Sequence, residues 1–183
     1  TGPYCLFRRV GDLILVSAMM WDVRARRARK LWFAWSRDGM DWRDASGKPI
    51  ARPDRSRPIW RGDDAFYTCP GIDGDGRPVV AATLRREGGP FLLLAQYSAG
   101  LGEAGEWSVD VVKDEAGAAI PTAGGHYYPL TADGRLGFWI ATGPHKTPGR
   151  VQRLERVEGH RFSVVFEDGE TSGGVCHFEP VQD

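Results

Sequence analysis

Apolar and β-branched residues along this chain come in short runs punctuated by Gly and Asp, and the runs recur. "GDLILVSAMM" (11–20), "DGRPVVAATL" (75–84) and "DGRLGFWIAT" (133–142) each set a turn ahead of an apolar stretch. A short aromatic-bearing segment precedes each one, as "PYCLFRRV", "FYTCPGID" and "HYYPLTA". A further apolar run follows each, as "KLWFAWS" (30–36), "PFLLLAQYS" (90–98) and "RVQRLERV" (150–157). Then come a turn and a last strand-like piece, "DWRDA", "EWSVDVV" and "HRFSVVF". Four consecutive strands joined by short loops, three times over, predict four-stranded antiparallel blades of a β-propeller. The blades are expected over 4–47, 66–113 and 126–168, with a C-terminal strand over 174–183, in one all-β domain spanning 1–183. Three such blades do not close a ring. The pattern therefore implies a partial propeller, or one completed by a second copy or another chain. Helical periodicity is absent; "VRARRARK" (23–30) has no apolar face and is expected to be a long basic hairpin loop. The stretches 48–64 and 113–125 are expected to connect blades within one array.

The segment "FAWSRDGMDWRDASG" (33–47) shows how one hairpin is specified. Its aspartate can cap backbone N–H groups in the turn, its glycine can take a left-handed conformation, and its tryptophan can pack beneath. Ser36, Asp38, Gly39 and Trp42 fill these roles, and Trp107 and Phe162 hold the packing position in the other two units. This spacing, with one residue fewer between Asp and Gly, resembles the Asp-box of BNR-repeat, sialidase-like propellers. The lines "LWFAWSRDGMDWRDASGKPI", "DGDGRPVVA", "TAGGHYYPLTADGRLGFWI" and "CHFEPVQD" are similar to that family over nearly the whole chain. The resemblance implies a propeller scaffold and a carbohydrate-active role, in a branch that includes lyases of uronic-acid polymers and some glycosidases. Its motifs encode blades rather than a reaction.

Composition narrows the function classes. A chain of 183 residues, 42% hydrophobic and 26% charged, is an ordinary globular domain in make-up. Lys+Arg and Asp+Glu each total 24, so overall charge gives no reason to expect nucleic acid or an acidic membrane as partner. No apolar run approaches the roughly 18 residues of a membrane span, and "TGPYCLFRRVGDLILVS" lacks the order of a signal peptide. The compartment stays open; secreted or periplasmic placement would follow from a carbohydrate-active role. Cys5, Cys69 and Cys176 are expected as buried free thiols. Their spacing matches no zinc motif, although converging inner strands could gather them with His177. No phosphate loop, nucleophile elbow or HExxH occurs, so no cofactor and no metal is expected.

Functional charge must then be local. Blade geometry puts the second-to-third loops and the linkers on one face, which carries Arg24, Arg26, Arg27, Arg29, Arg85, Arg86, His145, Lys146 and Arg150. The linkers add Arg61, Asp63, Asp64, Tyr67, His126, Tyr127 and Tyr128. Guanidinium groups that fork onto carboxylates, beside rings that stack on sugar faces, suit an anionic polysaccharide or oligosaccharide. The plainer alternative is that these arginines solubilise long loops. Uronate β-elimination needs a cation to neutralise the carboxylate, a base and an acid. The candidates are His126 as base or acid, Tyr67 or Tyr127 as its partner, and Arg61 or Arg85 as neutraliser. Arg24, Arg27, Arg86, His145 and Arg150 are then substrate-binding candidates. Tyrosines at the start of a strand also serve as packing residues. Adjacent Asp63 and Asp64 would point oppositely on an extended chain, which disfavours them as a glycosidase pair. A non-catalytic carbohydrate- or protein-binding module and a glycoside hydrolase on the same scaffold are the alternatives.

Overall fold

A computed structural model describes residues 2–22, 24, 27–62, 65–125, 127–142 and 149–171. The expected C-terminal strand at 174–183 lies outside these residues. Three antiparallel sheets follow one another in chain order. The first comprises β1 (Gly2–Val10), β2 (Leu13–Asp22) and β3 (Arg27–Ser36). The second comprises β4 (Ala65–Ile72), β5 (Pro78–Arg86), β6 (Gly89–Tyr97) and β7 (Trp107–Val111). In the third are β8 (Leu130–Ala132), β9 (Arg135–Ala141), β10 (Gly149–Glu158) and β11 (Arg161–Thr171). A 3₁₀ turn at Pro53–Arg55 is the only helical element among the described residues.

Burial explains why β5 and β6 read as nearly unbroken apolar runs. Both strands are covered on both sides, so alternate residues feed two different cores. Val79, Ala81, Leu92 and Leu94 pack against Tyr127, Leu136, Phe138, Ile140, Leu154 and Phe162 of the third sheet and the segment before it. Their neighbours Val80, Ala95 and Tyr97 pack against Leu15, Leu31 and Phe33 of the first sheet. The second sheet is thus the middle layer of three.

Two expectations for the first unit need correcting. The first sheet has three strands, because "DWRDA" makes only isolated bridges, from Arg43 to Trp35 and to Pro49. Asp44 bends the chain there: its carboxylate accepts the N–H groups of Ser46 and Lys48, both at 3.0 Å. The basic loop is shorter than expected, since β3 starts at Arg27 and pairs it with Asp22 beyond a bulge near Met20.

The same five-residue turn occurs three times, as "DASGK" (44–48), "DGDGR" (73–77) and "DEAGA" (114–118). In each, the aspartate carboxylate takes the N–H of the residue four on, and the glycine N–H bonds the aspartate carbonyl. Gly47, Gly76 and Gly117 sit at φ 82, 76 and 87, where a side chain would be strained. The Ser36–Trp42 turn is built as expected. Asp38 accepts the N–H groups of Met40 and Asp41, Ser36 donates its hydroxyl to Asp38, and these bonds hold the Asp38 carboxyl down at about 2. Trp42 meets Phe7 edge-on, with centroids 6.1 Å apart.

Candidate functional site

Between the first two sheets, at the end where β2 and β5 finish, lies a cleft of about 540 Å³. Its walls are Tyr4, Cys5 and Leu6 from β1, Met19 and Trp21 from β2, Phe66, Tyr67 and Thr68 from β4, and Arg85 from β5. The shape originates in β4. Its pairing with β5 jumps from Phe66 opposite Thr83 to Cys69 opposite Ala81, so one extra residue is accommodated. Tyr67 takes up that distortion, with φ at 51 in the left-handed region that a tyrosine rarely visits.

The residues on either side are fixed. Ser17 donates a hydrogen bond to the Thr68 hydroxyl at 2.9 Å, and both side chains are buried. Phe66 packs with Met19, its ring centroid 5.5 Å from that of Trp21, and the Arg85 guanidinium carbon lies 5.0 Å from the Phe66 ring centroid as a cation–π pair. Held at both neighbours, half-buried Tyr67 reaches the cleft in one defined place. Arg85 remains exposed, so its N–H edges stay available while stacking restrains its flexible stem. The cleft therefore offers flat rings for stacking, a phenol for hydrogen bonding or proton transfer, and one cation.

Two of the residues nominated from the sequence, Tyr67 and Arg85, come together here. The others are placed elsewhere or lie outside the described residues. Tyr127 is 1% exposed in the core between the second and third sheets, its hydroxyl directed to the Ala141 carbonyl at 3.5 Å, which is a packing position. Arg61 is exposed in the segment before β4, and Arg86 is exposed at the β5–β6 turn, paired with Gly89. Arg24 is exposed in the β2–β3 turn, where its backbone N–H bonds the Asp22 carboxylate. Arg27 opens β3. Arg150, on β10, pairs with Glu167, which also accepts from Gln152 at 2.6 Å. His126 and His145 lie outside the described residues, as do Arg26, Asp63, Asp64, Lys146, Cys176 and His177.

Sequence reasoning passed over Tyr4, Trp21 and Phe66, which make the aromatic wall; aromatics near the end of β2 and near the start of β4 were the available signal. One thiol differs from expectation. Cys69 is buried, as expected, and burial pushes it up to about 12, whereas Cys5 is exposed, on β1, an edge strand among the described residues. Among the described residues, no group of three His, Cys, Asp or Glu could hold a metal ion. A second cleft, of about 430 Å³, is lined by residues including Asp44, Arg57, Glu106 and Trp107 and contains none of the nominated residues.

No family model and no curated protein matches the chain. Two solved structures are similar to it in fold. One is a glycosyl hydrolase from Bacteroides ovatus, 16% identical, with a TM-score of 0.52 over 88% of this chain and 48% of that one. The other, from Bacteroides ovatus ATCC 8483, is named provisionally as a glycoside hydrolase; it is 13% identical, with a TM-score of 0.50 over 87% of this chain and 47% of that one. The chain spans about half the length of these structures. At such identities the likeness is one of fold.

Proposed function

We propose that the Tyr67–Arg85 cleft binds carbohydrate, and that the chain is part of a carbohydrate-active protein acting on saccharides that contain uronic acid. The observation that carries this reading is the union, in one cleft, of a cation and a strained tyrosine with the aromatic residues Trp21 and Phe66. The names of the two similar structures support the carbohydrate class. For the reaction, β-elimination fits the lining better than hydrolysis by paired acids. Among the described residues the lining contains no carboxylate, whereas Tyr67 can exchange a proton and Arg85 can neutralise a uronate. In this reading the three sheets are consecutive blades of a propeller, whose remaining blades come from further chain or from another copy. The serial stacking of the sheets and the half-length match to larger structures support it.

The test is a titration of the purified chain with uronate oligosaccharides and with neutral ones, read by tryptophan fluorescence and by the ultraviolet absorbance of unsaturated uronate. Saturable binding that Trp21→Ala and Arg85→Ala each weaken about tenfold is expected. If no saccharide of either kind binds, the reading is wrong; binding without absorbance would leave a carbohydrate-binding module. Native mass on the same sample decides whether a second copy completes the array.

A further inference from the structure

Arg8 sits on β1 two residues past Leu6, which lines the cleft, so the two side chains leave the same face of the strand. Its guanidinium ties β1 to β4 and to the segment before β8. Nη1 donates to the carbonyl of Pro129, just before β8, at 2.6 Å, and to that of Pro70 in β4 at 3.4 Å. The guanidinium carbon also lies 5.8 Å from the centroid of the Tyr128 ring. Close approach of the backbone makes this possible: a Cβ on Gly71 would stand 2.8 Å from Pro129 Cβ and 3.3 Å from Arg8 Nη1.

This clasp engages one corner of the group. Nε and Nη2 donate to no described residue, and neither is among the buried side-chain atoms without partners, which are Trp60 Nε1, Arg156 Nε and Arg156 Nη2. The Nε–Nη2 edge is therefore not wholly enclosed, and it is the edge whose two parallel N–H groups match a carboxylate. Nor is the charge matched within the described residues: no carboxylate pairs with Arg8, and the Cys69 thiol near it is held neutral at ordinary pH by burial. Two carbonyls thus hold a half-buried cation in place without cancelling it, an arrangement that an incoming anion would complete.

The geometry points to Arg8 as a recognition group for a carboxylate on the ligand of the adjoining cleft, gripped through Nε and Nη2. The identity of that ligand as a sugar acid rests on the reading of the cleft given above; the carboxylate site itself rests on Arg8 alone. The test follows the Arg8 Nε–H resonance of the ¹⁵N-labelled chain, assigned with Arg8→Lys, during titration with sodium glucuronate and with neutral methyl glucoside. The Trp21 indole signal is read in the same spectra. The Arg8 signal is expected to move saturably with glucuronate and to ignore the glucoside. Lysine keeps the charge but loses the fork, so Arg8→Lys should weaken glucuronate about tenfold and leave any glucoside binding unchanged. An Arg8 signal that ignores glucuronate, or follows both compounds alike, overturns the assignment; so does equal weakening of both by Arg8→Lys. A response at Arg8 with Trp21 silent to both would instead remove the carbohydrate reading and keep the carboxylate site.

Discussion

Tyr67 and Asp38 show which single residues a sequence announces. Asp38 lies in a local pattern, Ser36–Asp38–Gly39, whose hydrogen bonds run over at most three residues, so its capping role could be read directly. Tyr67 was nominated for its phenol, but its backbone strain arises from a pairing offset with β5 that no local pattern encodes. Arg8 was missed for the same reason, since its carbonyl partners are 62 and 121 residues away. The strain at Tyr67 makes a sharp expectation. In an ordinary strand alanine is preferred to glycine by about 0.5–1 kcal/mol, whereas a left-handed position costs an L-residue about 1–2 kcal/mol. Tyr67→Gly should therefore be more stable than Tyr67→Ala by about 1 kcal/mol in urea unfolding, since both variants lose the same ring. The ordinary order, alanine above glycine, would mean that the φ of 51 is not kept in solution.

At the level of elements, ten of the expected strands stand close to where the apolar runs put them, because each run is one strand bounded by its own turn. Exceptions occur where something non-local, or a competing turn, intervenes. "DWRDA" yields to the Asp44 turn, and only Leu130–Ala132 of "HYYPLTA" forms a strand, after Tyr127 has gone into the core. Recurrence of the five-residue aspartate turn was also overlooked, as its members fall at unequal places in the first two units and in the connection after them. One of these turns does more than reverse the chain. Gly74, in the turn of the second sheet, packs so closely on the β8–β9 turn that a Cβ would stand 2.0 Å from the Gly134 carbonyl oxygen. Backbone cannot step aside as a side chain can, so Gly74→Ala should cost about 2 kcal/mol through overpacking. Gly76→Ala, with open space around it but φ at 76, should cost about 1 kcal/mol. Urea midpoints of the two variants check this; a Gly74→Ala cost no greater than that of Gly76→Ala would show that the turns do not touch.

For the whole molecule, the stacking of sheets depends on pairings that apolar periodicity does not reveal. The repeat legible in the sequence fixes strands within a sheet, but the joint between the second and third sheets includes a buried ionic knot. Asp73, its side chain 1% exposed, accepts from Arg77 Nε at 3.1 Å and Gln96 Nε2 at 3.0 Å, and from Arg156 Nη1 on β10 at 3.3 Å. Burial holds Arg156 below its ordinary value even with Asp73 beside it, and its Nε and Nη2 find no partner. Desolvation thus outweighs what the carboxylate returns, so the pair contributes more to fixing how the sheets meet than to net stability. Removing one partner is a different matter, because it strands the other charge. Asp73→Asn should cost about 3 kcal/mol, the lower end for breaking a buried pair, through loss of the anion that faces Arg77 and Arg156. Adding Arg156→Met removes the stranded cation and fills its volume with apolar atoms, so the double variant should recover at least half of that loss. The measurement is a double-mutant cycle in urea. Strictly additive costs would mean that Asp73 and Arg156 do not sense each other, and that the second and third sheets are joined by their apolar core alone.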